Sequence, residues 1–160
     1  MTTSSEQVWG AAPLVPGHGA GTTLVLSEPL NAWGGLDPTT GLIVHHSHPQ
    51  RGADITGMVL VLEETRGSGT NAQVLAQTWA EGHGPVAVVL ARPDYVLCVG
   101  AVVSQELYGV TCPVVVLDGE HHGTLTDGLQ VEVDASAESA TVTVRERPPI
   151  SGRSAIGRSV

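Results

Sequence analysis

Arg66, Ser68 and Thr70 occupy alternate positions of the stretch Glu63 to Asn71, with Gly67 and Gly69 between them. These residue types at this spacing can hold an anion. A guanidinium grips a carboxylate or phosphate through two parallel hydrogen bonds. The hydroxyl of Ser68 enters the same spot, Thr70 adds another, and the two glycines leave the backbone free to approach a ligand. The competing explanation is local: Ser, Thr or Asn ahead of a helix commonly caps it by accepting from a free first-turn amide. Neither common phosphate motif is present, since the loop fits neither G-x-x-x-x-G-K-[ST] nor G-x-G-x-x-G. The chain contains no lysine.

A denser cluster of titratable groups, His45-His46-Ser47-His48-Pro49, invites a zinc reading. A structural zinc takes four ligands, and this spacing matches no standard finger. His45 and His46 are adjacent and, on a strand, would point opposite ways. A surface turn with one histidine facing a pocket, His48, is the better reading, and no metal is expected on this chain. Trp33, between Leu30 and Gly41, is read as a core plug, with a pocket wall as the alternative.

The elements that must position these residues follow from periodicity. Val59 to Leu62 is a short, continuous apolar run and suits a buried strand ahead of the loop. Beyond the loop, Val74, Leu75 and Trp79 lie on one face of a helix from Ala72 to Glu81, stopped by Gly82 and Gly84-Pro85. Val86 to Leu90 reads as a strand, Tyr95 to Tyr108 as a helix ended by Gly109, and Cys112 to Leu117 as a third core strand. Strand–helix–strand–helix–strand implies parallel pairing with right-handed crossovers. Gly21 to Leu26 and Leu42 to Val44 read as further strands. Gly128 to Asp134 and Ala140 to Val144 alternate apolar and polar residues and predict an antiparallel hairpin. The expected class is α/β, a parallel core sheet flanked by helices with a C-terminal β-hairpin. Residues 1–20 are expected to be a flexible N-terminal arm, 21–147 the folded domain, and 148–160 a flexible tail.

With 160 residues, one domain is the natural count. A formal net charge of −9 argues against non-specific nucleic-acid binding and against an anionic membrane surface. No apolar run approaches the ~20 residues that span a bilayer. The N-terminus has neither the basic region nor the apolar core of a secretion signal. Cys98 and Cys112 each lie in an apolar segment and read as buried free thiols of a cytoplasmic protein.

Taken in order, these pieces resemble a known family. Trp33-Gly34-Gly35 with Asp37-Pro38 and Gly41, His48-Pro49, Gly52, Ile55 and Gly57 come first. Val59 to Leu62, Arg66-Gly67-Ser68, Ala91, Pro93-Asp94, Gly100-Ala101, Glu106, Gly109 and Pro113 to Val115 complete the set. Leu30 to Leu117 resembles the small subunit, or swivel domain, of the aconitase X family. The family loop usually reads Gly-Arg-Gly-Ser-Ser-Ser-Gly-Ser. Here Arg66, Gly67 and Ser68 match, Thr70 keeps a hydroxyl, and Gly69, Asn71 and Ala72 depart.

The resemblance implies a swivelling β/β/α domain that closes over the active site of a large catalytic subunit carrying an iron–sulfur cluster or metal. It implies a hydro-lyase subunit, active only with that partner, dehydrating a small hydroxy acid. The expected substrate is cis-3-hydroxy-L-proline. A phosphomevalonate dehydratase small subunit is the alternative within the family, and a non-catalytic binding or regulatory module of the same fold is the alternative outside catalysis. Ser68 becomes the candidate base, with Arg66, Gly67, Gly69 and Thr70 around the substrate. Proton removal next to a carboxylate needs a base and stabilisation of the developing charge. A serine serves only as an alkoxide, held by helix amides and Arg66 in a site dried by closure.

Overall fold

The computed structural model describes residues 5–146. Nine strands and three helices follow in chain order. They are β1 (Glu6–Val15), β2 (Gly17–Val25), β3 (Leu36–Asp37), β4 (Leu42–Ile43) and β5 (Val59–Leu62), then α1 (Thr70–Ala80), β6 (Ala87–Leu90) and α2 (Tyr95–Tyr108). They end with β7 (Val114–Val116), α3 (Gly119–His122), β8 (Gln130–Ala135) and β9 (Ala140–Arg145). Seven of the strands close into a barrel in the order β1-β7-β6-β5-β2-β8-β9, while β3 and β4 form a small separate pair.

The barrel has a parallel half and an antiparallel half. β2, β5, β6 and β7 run parallel. β8 and β9 form the expected hairpin, with Val131 opposite Val144 and Val133 opposite Val142. The long strands β1 and β2 join the halves. β1 pairs with β9 through residues 6–11 and then with β7 through residues 12–15, with an irregularity in register between Pro13 and Val15. β2 pairs first with β8 and then with β5.

Alternation sorts the side chains of the parallel half into two cores. Every residue of β5 and of β6 is buried, as parallel strands covered on both faces require. Leu60, Leu62, Val88 and Leu90 pack with Leu75 and Trp79 of α1 and with Leu97 and Ala101 of α2. Their neighbours Val59, Val61, Ala87 and Val89 face the barrel interior with Val131, Val133, Val142 and Val144. The two long helices lie against each other, and Gly100 lies in their contact. A Cβ there would sit 3.0 Å from the Ala72 carbonyl oxygen and 3.1 Å from Leu75 Cβ.

The N-terminal segment departs from expectation. Residues 5–20 are not a loose arm, because β1 and the start of β2 occupy them. Most of β1 is exposed or half-buried and it carries Gly10 and Pro13, so it lacks an apolar signature. Its pairing comes from strands far away in sequence. The fold is therefore α/β as expected, with the sheet closed rather than open and only part of it parallel. Asp118 to Gly123, read as polar loop, holds the one-turn α3, capped by Asp118, which accepts from His121 N–H. The proposed tail, 148–160, lies outside the described residues.

Candidate functional site

The loop between β5 and α1 is braced from beneath. Arg66 N–H donates to the Leu30 carbonyl at 2.9 Å, beside a parallel bridge between Leu30 and Thr65. Thr65 donates through its N–H to Asp94 Oδ2 at 2.7 Å, and its hydroxyl donates to the same oxygen. The other carboxylate oxygen of Asp94 accepts from Leu97 N–H at 3.0 Å and caps α2. One buried carboxylate thus ties the loop to the start of α2.

Asn71 supplies a second brace. It is 1% exposed. Its Nδ2 donates to the Arg66 carbonyl at 2.6 Å, and its Oδ1 accepts from Trp33 N–H at 2.9 Å. The side chain therefore fastens the Arg66 loop to the Trp33-Gly34-Gly35 turn. Gly67 makes room for it. Its φ is +127°, and a Cβ there would lie 2.5 Å from Asn71 Nδ2. Only glycine fits both demands.

Ser68 sits exposed at the turn of this braced loop, and it does not cap α1. The N-cap is Gly69, with no side-chain cap hydrogen bond. The Ser68 hydroxyl instead lies 3.5 Å from Thr70 Oγ1. Main-chain carbonyls do the local work: Ser68 and Gly69 accept from Asn71 and Ala72 N–H at 2.9 and 3.1 Å. The side chains of Ser68 and Thr70 are exposed beside the N-terminus of α1.

Arg66 and His48 share a cleft of about 250 Å³, lined also by Glu28, Asn31, His45 and Ser47. Arg66 is exposed and makes no ion pair among the described residues. Arg92, nearby, is committed to Glu63 at 3.0 Å and does not line the cleft. The cleft thus offers one uncommitted guanidinium. His48 has a structural role. Its Nδ1 accepts from Gln50 N–H at 3.0 Å, which leaves Nε2 to donate to the Glu28 carbonyl at 3.3 Å. Both ring nitrogens are used, so His48 forms the cleft floor rather than supplying a base.

One expectation about this region changes. Trp33 is 64% exposed, so it is not a core plug; it stands beside the loop, fixed through its backbone. His45 and His46 are not on a strand. They lie in a turn beyond β4, and their rings stack with centroids 5.0 Å apart. Among the described residues, no group of three or more His, Cys, Asp or Glu is placed to hold a metal ion. Both cysteines are free. Burial, with the Asp94 carboxylate adding to it, pushes the Cys98 thiol up to about 11. Burial pushes the thiol of Cys112 up as well. The chain has two cysteines, fewer than the thiolate set that holds an iron–sulfur cluster, so these residues do not fit such a centre. The residues that sequence reasoning missed are Asn71, Asp94 and Asn31, whose polarity in or beside an otherwise apolar context was their available signal.

A mixed barrel with two helices on one flank, presenting an Arg-Gly-Ser loop ahead of α1, defines a swivel domain. The chain belongs to the aconitase X swivel domain family, whose model matches residues 8–144. It is 36% identical over 104 residues to the cis-3-hydroxy-L-proline dehydratase of Pseudomonas aeruginosa, a match that takes in 65% of this chain and 18% of that relative's length. The chain thus spans about a fifth of that protein. It is 34% identical over 120 residues to the phosphomevalonate dehydratase small subunit of Methanothermobacter thermautotrophicus, covering 74% of this chain and 87% of that one. Aconitase X of Thermococcus kodakaraensis, solved in its holo form, superposes with a TM-score of 0.73 at 26% identity, over 85% of this chain and 98% of that chain.

Proposed function

We propose that this chain is the small subunit of a two-chain, cytoplasmic aconitase X-type hydro-lyase acting on a small hydroxy acid, cis-3-hydroxy-L-proline. Ser68 is its base and Arg66 its carboxylate grip. The observation that carries the reading is the state of the loop. The Ser68 hydroxyl is exposed and released from capping, while the backbone around it is fixed by Asn71 and Asp94. A loop that only started a helix would need neither brace.

In this reading Arg66 orients the substrate carboxylate and Ser68 removes the adjacent proton, with the α1 N-terminus favouring the alkoxide. Closure against the partner removes water, which strengthens each of these contacts. A metal or iron–sulfur centre belongs to the large subunit. Identity to the proline-type enzyme and the single arginine of the cleft favour hydroxyproline over a phosphorylated substrate, for which further cations would be expected. The phosphomevalonate reading has one observation on its side: the match to the archaeal small subunit spans 87% of a separate chain.

The test is to co-express the chain with the aconitase X-type large subunit of its own genome and assay dehydration of cis-3-hydroxy-L-proline, its trans isomer and 5-phosphomevalonate. Turnover of the cis isomer is expected. Turnover of phosphomevalonate alone would replace the substrate, and inactivity toward all three in an intact complex would favour the non-catalytic module.

A further inference from the structure

The outer face of α2 is apolar and uncovered. Among the described residues, eight large hydrophobic side chains are exposed, and five of them lie on this one helix: Tyr95, Val99, Val102, Leu107 and Tyr108. Tyr95, Val99 and Val102 follow one another at four- and three-residue steps and form a continuous stripe. Soluble surfaces scatter such residues singly; a stripe of them marks a contact. The opposite face of α2 is taken, since Leu97, Gly100, Ala101 and Ser104 are buried. The stripe ends at an exposed charge, Glu106, four residues beyond Val102. Glu106 is the single charged residue of the helix, in a chain of net charge −9. That combination disfavours an anionic membrane and suits a protein surface that is itself apolar.

The stripe adjoins the loop. Tyr95 directly follows Asp94, the carboxylate that holds Thr65 and caps α2. The N-terminal end of the stripe is thus tied through Asp94 to Thr65, the residue before Arg66. The loop carries a hydroxyl and a guanidinium but nothing to take a leaving hydroxyl, so a surface seated here can complete the site. The Pseudomonas aeruginosa relative carries its matching stretch in a chain of which that stretch is only 18%. A large body thus accompanies this domain in at least one relative.

We propose that the Tyr95–Val99–Val102 stripe is the surface through which this domain seats on its large catalytic subunit. The proposal rests on the dehydratase reading for the existence of that partner. The contact is aliphatic and aromatic, and the partner presents an apolar groove or helix face to it.

The test uses the full chain co-expressed with the large subunit, with assembly measured by light scattering after gel filtration and affinity by titration. Val99→Glu combined with Val102→Glu should weaken assembly by about 100-fold or more, because two charges enter a desolvated contact. The melting point of the free chain should move little, since both positions face water in it. Val8→Glu, at an exposed site on β1, should assemble normally. Unchanged assembly of the double variant would overturn the proposal. So would a wild-type homodimer that the double variant dissociates while the large subunit still binds. If the wild-type chain binds no large subunit, the dehydratase reading falls and this proposal falls with it. If the complex forms and turns over but α2 is dispensable, only the surface is wrong.

Discussion

Replacing Ser68 with alanine separates catalysis from structure because the two effects differ in size. The hydroxyl makes one 3.5 Å hydrogen bond to Thr70, and both side chains are exposed. Such a contact contributes at most ~0.5 kcal/mol. For a domain of this length that shifts Tm by no more than about 2 °C. α1 loses nothing at its start, since its cap is Gly69 and no side chain serves it. If the hydroxyl is the base, its removal should cost a factor of about 10² or more in turnover, equivalent to ~2.7 kcal/mol. The catalytic effect is therefore several times the structural one. The assay is steady-state kinetics on the two-chain complex, with melting curves of the same preparations. Near-normal turnover in Ser68→Ala would refute the assignment and place the base elsewhere. A melting point lowered by 10 °C or so would refute the structural half, showing that the hydroxyl supports the loop after all.

Three further outcomes follow from the geometry. Asn71→Ala removes the partner of Arg66 C=O and of Trp33 N–H; it should cost about 1–3 kcal/mol and raise KM in the complex as Arg66 loses its fixed backbone, with unchanged melting and kinetics counting against the brace. Cys112, 2% exposed, should react with a disulfide reagent at pH 8 only as the chain unfolds, whereas the half-buried Cys98, pushed up to about 11, should react slowly in the native chain; rapid labelling of Cys112 in the native chain would contradict its burial. Asp118 is held below its ordinary 3.8, first by the His121 side chain and then by its N–H, so its support of α3 is complete above the unfolded value and lost as pH falls through the lower folded one. Histidine signals of His121, followed by NMR from pH 6 to pH 2, should report release of the pair only in the acid range; release near pH 6 would contradict it.

How much of this was legible beforehand depended on where each signal came from. β5, α1, β6, α2 and β7 carry their own periodicity, and α2 runs from Tyr95 to Tyr108 as read. β5 is Val59–Leu62 as read. β1 has no such pattern. It is exposed along much of its length, contains Gly10 and Pro13, and owes its form to β9 and β7, about a hundred residues or more distant. The closure of the barrel was hidden for the same reason, being a property of pairings and not of any segment. In the site, Arg66 and Ser68 were visible as types. The roles of Asn71 and Asp94 were not, because a polar residue beside a loop reads as solvated or capping until its burial is known. Trp33 failed in the opposite direction: its size suggested the core, whereas its backbone is what the fold uses.

The bracing also constrains how such a site could close. Arg66 N–H, Thr65 and the Arg66 carbonyl are each held by a separate partner, from the Leu30 segment, from α2 and from α1. Gly67 is confined by Asn71 despite its conformational freedom. A loop fixed at these points has little scope to fold over a substrate by itself. In the dehydratase reading, water must then be excluded by movement of the whole domain onto its partner, with Ser68 carried as a rigid part of the barrel. That accounts for a base candidate that is exposed yet precisely held. It also explains the position of Asp94, which links the loop that would do the chemistry to the helix whose apolar face would find the partner. Rigid coupling of this kind makes alignment of Ser68 depend on how α2 is seated, so a substitution on the stripe that still permits assembly should lower kcat more than it raises KM.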